Sequence, residues 1–380
     1  MKDQNNEIDV CHNPLVGFAQ GGQININKDE WQTLNDKYTQ NELLCWLKDL
    51  IIHDYINLPL RELHESDAIE SFNNLLNYKC NDLKESRLTT RYSYEFDDIG
   101  YGYYIEETNV GNIASDYFQQ QNRFICGSIN APSPVRVWEN EKFLNGMLKA
   151  LWSLKCDCIN DNTFRTCLSL RKYVASQFKP SVAKSVYEKF NSQNVLDFSA
   201  GWGDRLCGFY ACQNTKSYIG IDPNVNTHRD YYRQVAFYNR FISGKQTEFI
   251  CKPAEEVSLN KECVDTVFTS PPYFNVERYT EDSTQSFKRY KKINDWLEQF
   301  LFKAIKMSYD ALRENGFLII NISDVYSGHR INQICDPMNY YIQSLGMKYQ
   351  GVIGMKMAKR PNSRTIKDGV FVEPMWIWRK

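Results

Sequence analysis

The chain has 380 residues, 42% of them hydrophobic and 24% charged, with a formal net charge of −1 at pH 7. That length suits two cores better than one, since a domain usually holds about 100–200 residues, and the near-zero charge excludes a global polyanion-binding surface. No run approaches the roughly 18 apolar residues that span a bilayer, and the polar, acidic start Met1–Glu7 is not a secretion signal, so a protein kept in the cytoplasm is expected.

From residue 1 to about 165 the chain is rich in Asn, Tyr and acidic residues. Tyr92 to Ile105 alternates aromatic and polar side chains, as a hairpin turning at a glycine would. Phe143, Leu144, Met147, Leu148, Leu151 and Trp152 fall on one helical face that closes this half. A mixed α/β domain is therefore expected over 1–165, possibly concerned with target recognition. The twelve cysteines are scattered. Cys156 and Cys158 stand too close together for a zinc knuckle, so reduced thiols are expected and no metal site.

From 166 to 380 short apolar runs alternate with amphipathic segments. The runs are Asn194–Phe198, Ser217–Ile221, Thr247–Cys251, Val264–Thr269, Phe317–Ile322, Tyr349–Met355 and Phe371–Trp378. Strands alternating with helices imply a parallel sheet covered on both faces. No helical pattern separates the last two runs, which predicts an antiparallel hairpin.

Three segments of this half carry chemistry. Asp197-Phe198-Ser199-Ala200-Gly201-Trp202-Gly203 follows the first run, and ligands of open α/β sheets bind outside the carboxyl ends of strands, where glycines admit them. Asp197 would suit a ligand with an ammonium group; a glycine needed only for tight packing is the plainer alternative. Asp222 ends the next run, placed to accept from ribose hydroxyls, or else simply to start a turn with Pro223 and Asn224. Ser270-Pro271-Pro272-Tyr273 ends the run Val264–Thr269. The prolines stiffen that turn and donate no backbone hydrogen bonds, which leaves carbonyls and the Ser270 hydroxyl to accept from an exocyclic amine, with Tyr273 as a stacking face.

Taken together these segments resemble the amino-methyltransferases that act on adenine N6 or cytosine N4. The resemblance covers roughly residues 175–380. It implies a Rossmann-like seven-stranded sheet, S-adenosylmethionine as cofactor, DNA as substrate, and a base flipped out of the duplex. It makes Ser270, Pro271, Pro272 and Tyr273 the catalytic motif, with the leading Ser tilting the choice slightly toward cytosine N4. It assigns the cofactor to Asp197, Ser199, Ala200, Gly201, Gly203 and Asp222, to Lys179 and Pro180 at the methionine end, and to Glu255 (or Glu256) at the adenine. Without the resemblance, Pro180 reads as a helix start followed by a surface pair Lys184–Glu188.

Two local basic runs flank this motif: Lys288 and Arg289 in Lys288–Lys292, and Lys356, Lys359, Arg360 and Arg364 in the tail. Beside a catalytic motif they read as phosphate contacts; alone they read as solvated faces. Glu277-Arg278-Tyr279 would line the base pocket or form a surface loop. RNA methylation, transfer of another group, and a non-catalytic nucleic-acid-binding protein on the same fold are the rival readings. Oligomeric state, monomer or homodimer, is not legible.

Overall fold

The computed structural model describes residues 13–80, 83–128, 132–171, 175–280, 282–357 and 369–380. The chain forms two compact units: residues 1–62 with 123–175, and residues 63–122 with 176–380. A single boundary near 165 is thus replaced by a discontinuous division, because residues 63–122 complete the core and the sheet of the second unit.

The first unit is largely helical rather than mixed, with one two-residue hairpin, Ala19–Gln20 with Gln23–Ile24. Helices Lys28–Lys37 and Gln40–Ile52 each begin with a capping box, Asn27 with Glu30 and Thr39 with Glu42. Leu43, Leu47 and Leu50 bury one face of the second and share a core with Leu144, Met147, Leu148 and Phe164. The helix expected through residues 143–152 is divided at Lys149 into Glu141–Leu148 and Ala150–Ser153. Leu144 and Leu151 still reach the same core.

In the second unit the strands are β1 (Lys84–Thr89), β2 (Tyr101–Ile105), β3 (Asn194–Asp197), β4 (Ser217–Ile221), β5 (Gln246–Ile250), β6 (Val264–Thr269), β7 (Leu312–Asn321), β8 (Lys348–Lys356) and β9 (Val370–Arg379). The last seven run in the order β5-β4-β3-β6-β7-β9-β8, parallel except for β9, which is antiparallel to both of its neighbours. This is the Rossmann-like sheet expected from the sequence, with its closing hairpin β8–β9. Its strands read as continuous apolar runs because both faces are buried. Leu196, Val267, Leu318 and Trp376 enter one core, while their neighbours Val195, Phe268, Ile319 and Met375 enter the other.

The remaining two strands come from residues 63–122. β1 and β2 pair with each other, β2 runs parallel to β8, and the end of β1 meets the start of β9. The expected hairpin therefore exists, but with different strands, and half of its aromatics, Tyr92, Tyr94 and Phe96, lie in the connection between them. There Asp336 accepts the backbone N–H groups of Glu95 and Phe96 at 3.0 and 3.1 Å, which takes the place of ladder bonds. Tyr94 packs on Trp376 and Phe96 on Trp378.

The helices that bear on the site are α1 (Glu65–Asn77), α2 (Pro180–Lys189), α3 (Asp204–Ala211) and α4 (Val225–Tyr238). Phe72 of α1 stacks on Tyr238 of α4. Lys184 of α2, read from sequence as half of a surface pair, is 4% exposed. Its Nζ donates to the carbonyls of Leu75, Leu76 and Tyr78 at 3.0, 3.0 and 2.7 Å. It caps the carboxyl end of α1, as a cation there should, and Glu188 stands 3.6 Å away.

Candidate active site

The glycine turn joins β3 to α3 at the carboxyl end of the sheet. Gly201 and Gly203 have φ of +58° and +73°, the left-handed region that favours glycine. They differ in surroundings. A Cβ on Gly203 would stand 2.1 Å from Oε1 of Gln234, so this glycine serves packing; a Cβ on Gly201 would meet nothing nearer than the Ser199 carbonyl at 3.7 Å. Gly201 therefore faces open space, as a close backbone approach to a ligand requires. Its N–H donates to Asp222 Oδ2 at 2.9 Å, and the Ala200 N–H donates to the Ile221 carbonyl at 3.0 Å. The two strand ends are thereby stitched together.

Asp197 departs from the role expected of it. Its side chain is 0% exposed and lies 2.8 Å from Arg205 Nε. It also accepts from the Tyr218 hydroxyl at 2.8 Å and the Ser199 N–H at 3.2 Å. Burial opposes the charge on Arg205, yet Asp197 beside it holds the guanidinium pKa above its ordinary value. With its bonds made inside the protein, Asp197 braces the turn and does not present a carboxylate to an ammonium group. Arg205 also donates to the Ser199 carbonyl and lies over the ring of Phe178, which carries the segment Phe178–Ser181 to the same place. Lys179 is held there by Asn109 at 2.8 Å and Glu107 at 3.2 Å, and Pro180 opens α2.

Asp222, just beyond β4, is half-buried. Its Oδ1 accepts from the Asn224 N–H at 2.9 Å. Burial pushes its carboxyl pKa up, against the pull of the N–H groups of Asn224 and Gly201. Beyond β5, Glu255 accepts from Arg289 at 2.8 Å and from the Tyr290 hydroxyl at 3.1 Å through Oε1. Its Oε2 is buried without a partner among the described residues, and desolvation raises its pKa. An orphaned buried oxygen of this kind asks for a donor. The open face at Gly201, the acid at Asp222 and the orphaned oxygen of Glu255 fit a nucleoside-bearing cofactor, whereas Asp197 does not fit its ammonium group.

Ser270 to Tyr273 follow β6. Phe274, directly after them, has φ of +52°, a conformation costly for a bulky residue that marks a constrained turn. Its ring is 5% exposed and packs against Trp296, and its N–H donates to the Pro272 carbonyl at 3.0 Å. The Ser270 hydroxyl lies 3.3 Å from Asn321 Oδ1 at the end of β7. The Tyr273 hydroxyl is bonded to Glu373 of β9 and adjoins Ser270; burial first, then the Glu373 carboxylate, raise its pKa well above the ordinary value. Thr269 Oγ1 and Asn275 Oδ1, on either side of the motif, are buried without a partner among the described residues.

The basic candidates divide. Arg289 is paired with Glu255 and Glu256, and Lys356, its side chain 44% exposed, pairs with Glu106 at 3.1 Å. Lys288 Nζ lies over the Phe287 ring. Lys359, Arg360 and Arg364 fall outside the described residues. Of the segment Glu277–Tyr279, Tyr279 packs edge-on to Trp202 of the glycine turn.

Arg205, Asn321, Glu373 and Glu107 were not foreseen. Each reaches the site through a contact that no local pattern announces. Among the described residues no group of His, Cys, Asp or Glu is arranged to hold a metal ion, and no helix is long and apolar enough to cross a membrane.

A family profile described as a DNA methylase matches residues 264–379, a span running from β6 through β9. No curated protein matches the chain. Among solved structures, a putative S-adenosylmethionine-dependent methyltransferase from Listeria monocytogenes is 12% identical, with a TM-score of 0.32, over 52% of this chain and 95% of that one. An S-adenosylmethionine-dependent O-methyltransferase from Thermotoga maritima is 9% identical, with a TM-score of 0.33, over 56% and 70%. Magnesium protoporphyrin IX methyltransferase from Synechocystis is 10% identical, with a TM-score of 0.35, over 53% and 79%.

Proposed function

We propose that this chain, whose residues 264–379 match a DNA methylase profile, methylates the exocyclic amine of a flipped-out DNA base, cytosine N4 ahead of adenine N6. The observation that carries this reading is the meeting of three strand ends: the open glycine turn after β3, Asp222 after β4, and Ser270–Tyr273 after β6. S-adenosylmethionine, when bound, supplies an electrophilic methyl group. The residues then have mainly to position and orient.

Gly201 and Ala200 line the cofactor along their backbone, Asp222 accepts from its ribose hydroxyls, and Glu255 Oε2 accepts from its adenine amine. Lys179, held by Glu107 and Asn109, stands at the methionine end with Pro180. The Ser270 hydroxyl and the carbonyls of Ser270 and Pro271 accept hydrogen bonds from the target amine, which turns its lone pair toward the methyl group. Tyr273, its hydroxyl anchored on Glu373, offers a ring face to the base. No strong base is needed before attack, because the proton leaves only once nitrogen has become cationic. Lys288, with Lys359, Arg360 and Arg364, supplies phosphate contacts. The leading Ser of the motif is what favours cytosine.

The test is to incubate the protein with methyl-labelled S-adenosylmethionine and unmodified duplex DNA, digest to nucleosides and identify the labelled one. A Ser270→Ala/Tyr273→Ala variant runs beside it. Labelled N4-methylcytosine with wild type and none with the variant is expected, and N6-methyladenine would keep the class while reversing the base. Label absent from DNA, with cofactor still bound, overturns the DNA reading and makes structured RNA the next substrate to try.

A further inference from the structure

We infer that Asn321 is a positioning residue that fixes the hydrogen-bond polarity of Ser270, through a relay that begins at the carbonyl of Pro374; the inference rests on the reading of Ser270–Tyr273 as the motif that receives the target amine. The argument starts from what each group is able to do. A backbone carbonyl only accepts. Asn321, 1% exposed, reaches the Pro374 carbonyl with Nδ2 at 3.3 Å, so its amide must turn the NH2 end toward β9. The opposite end, Oδ1, also only accepts, and it faces the Ser270 hydroxyl at 3.3 Å. The flipped amide would set oxygen against oxygen at Pro374. Of the two groups beside the Ser270 hydroxyl, the Tyr273 hydroxyl can donate as well as accept, whereas Asn321 Oδ1 can only accept, so the Ser270 hydrogen is directed at Asn321.

The sheet is built to make this link. Ile320 of β7 pairs with Thr269 of β6, while Asn321 pairs with Met375 of β9. Asn321 is thus the residue at which the strand bearing the motif and the strand bearing Pro374 are joined through one side chain. Both links are long for their types, which leaves room for them to shorten when a base enters, as hydrogen bonds at unliganded sites do.

The consequence is chemical. A serine hydroxyl that is free to rotate can donate to the nitrogen of an amine, and that would occupy the lone pair that has to attack. With its hydrogen held on Asn321, Ser270 presents only lone pairs, so it accepts N–H and leaves the nitrogen lone pair directed away from it. Pro374 sets Asn321, Asn321 sets Ser270, and Ser270 sets the amine.

Two substitutions separate this role from a structural one. Asn321→Asp still accepts from Ser270 but cannot donate to Pro374; Asn321→Leu does neither. We expect Asn321→Leu to lower kcat about tenfold, the scale of one oriented hydrogen bond, with KM for duplex DNA nearly unchanged. Asn321→Asp should keep kcat within about threefold although its Tm falls at least as far. Loss of kcat in step with Tm in both variants, or a wild-type kcat in Asn321→Leu, overturns the inference. A second measurement needs no substrate: in a Tm cycle with Ser270→Ala, the double variant Ser270→Ala/Asn321→Leu should be no less stable than Asn321→Leu alone. Additive losses alongside an active wild type overturn the inference and leave the functional reading standing. A wild type that labels no nucleic acid removes that reading, and the chemical role of Asn321 with it, before any variant is compared.

Discussion

At the carboxyl end of β3 the turn through Gly203 is held by charge, whereas at that of β6 the turn through Phe274 is held by covalent geometry. In the first, Asp197, Arg205, Tyr218 and the Ser199 backbone close on one another in the interior. In the second, two prolines restrict the chain, Phe274 sits at positive φ, and polar atoms on either side lack partners among the described residues. The difference is one of availability. A turn braced by its own side chains can offer a ligand only its backbone, while a turn braced by proline rings can leave the Ser270 lone pairs and the carbonyls of Ser270 and Pro271 for a reacting group.

The largest effect should come from breaking the charged brace. Arg205→Leu leaves Asp197 buried with only the Tyr218 hydroxyl and one N–H, and an uncompensated buried charge costs about 3–5 kcal/mol. The variant should lower the urea midpoint at unchanged m. Arg205→Leu/Asp197→Leu should recover much of the loss, since apolar replacement of both partners is often close to neutral. A loss under about 1 kcal/mol in the single variant would show that the turn does not depend on this pair.

The proline turn should answer in the opposite sense. Pro272→Gly adds chain entropy to the unfolded state and should cost only about 0.4–1 kcal/mol, a small fall in Tm. Its effect should appear in transfer, as a loss of roughly tenfold or more in kcat, because misplacing a reacting group is expensive. A variant with wild-type kcat would mean that the Pro272 ring does not set the position of Ser270.

What the sequence disclosed follows the same divide. The seven strands, the closing hairpin and the three strand-end segments were legible because each is written within a few neighbouring residues. Roles settled by distant partners were not. Asp197 looked available because nothing near it in sequence marks Arg205 as its partner, eight residues on. Asn321 acquires its role from Pro374, 53 residues away, and Tyr94 reaches Ser323 across 229 residues. The boundary at 165 failed for the same reason: β1 and β2 look like part of an N-terminal domain until their pairing with β8 and β9 is known. Lys184 and Glu188 do have the spacing of a surface pair, and only the end of α1 above Lys184 makes it a cap.

The smallest expected effect is also the one that bears most directly on the cofactor end of the comparison. Asp222 belongs to the charged side by chemistry but to the available side by exposure, since it is half-buried and holds only two backbone N–H groups through its carboxylate. Burial raises its pKa, above the value of about 3.9 for the unfolded chain. The folded protein without cofactor then binds more protons than the unfolded chain between those two values, so its stability falls as pH rises through that window. Cofactor affinity should run the other way. Ribose hydroxyls donate to the ionised carboxylate, so affinity should be full above the raised pKa and weaken as pH falls through it. Calorimetric titration of S-adenosylmethionine at several pH values, paired with Tm of the cofactor-free protein, reads both slopes. Asp222→Asn should flatten both together. If the affinity slope survives in Asp222→Asn, the ribose is held by some other titrating group, and Asp222 braces Gly201 much as Asp197 braces Arg205.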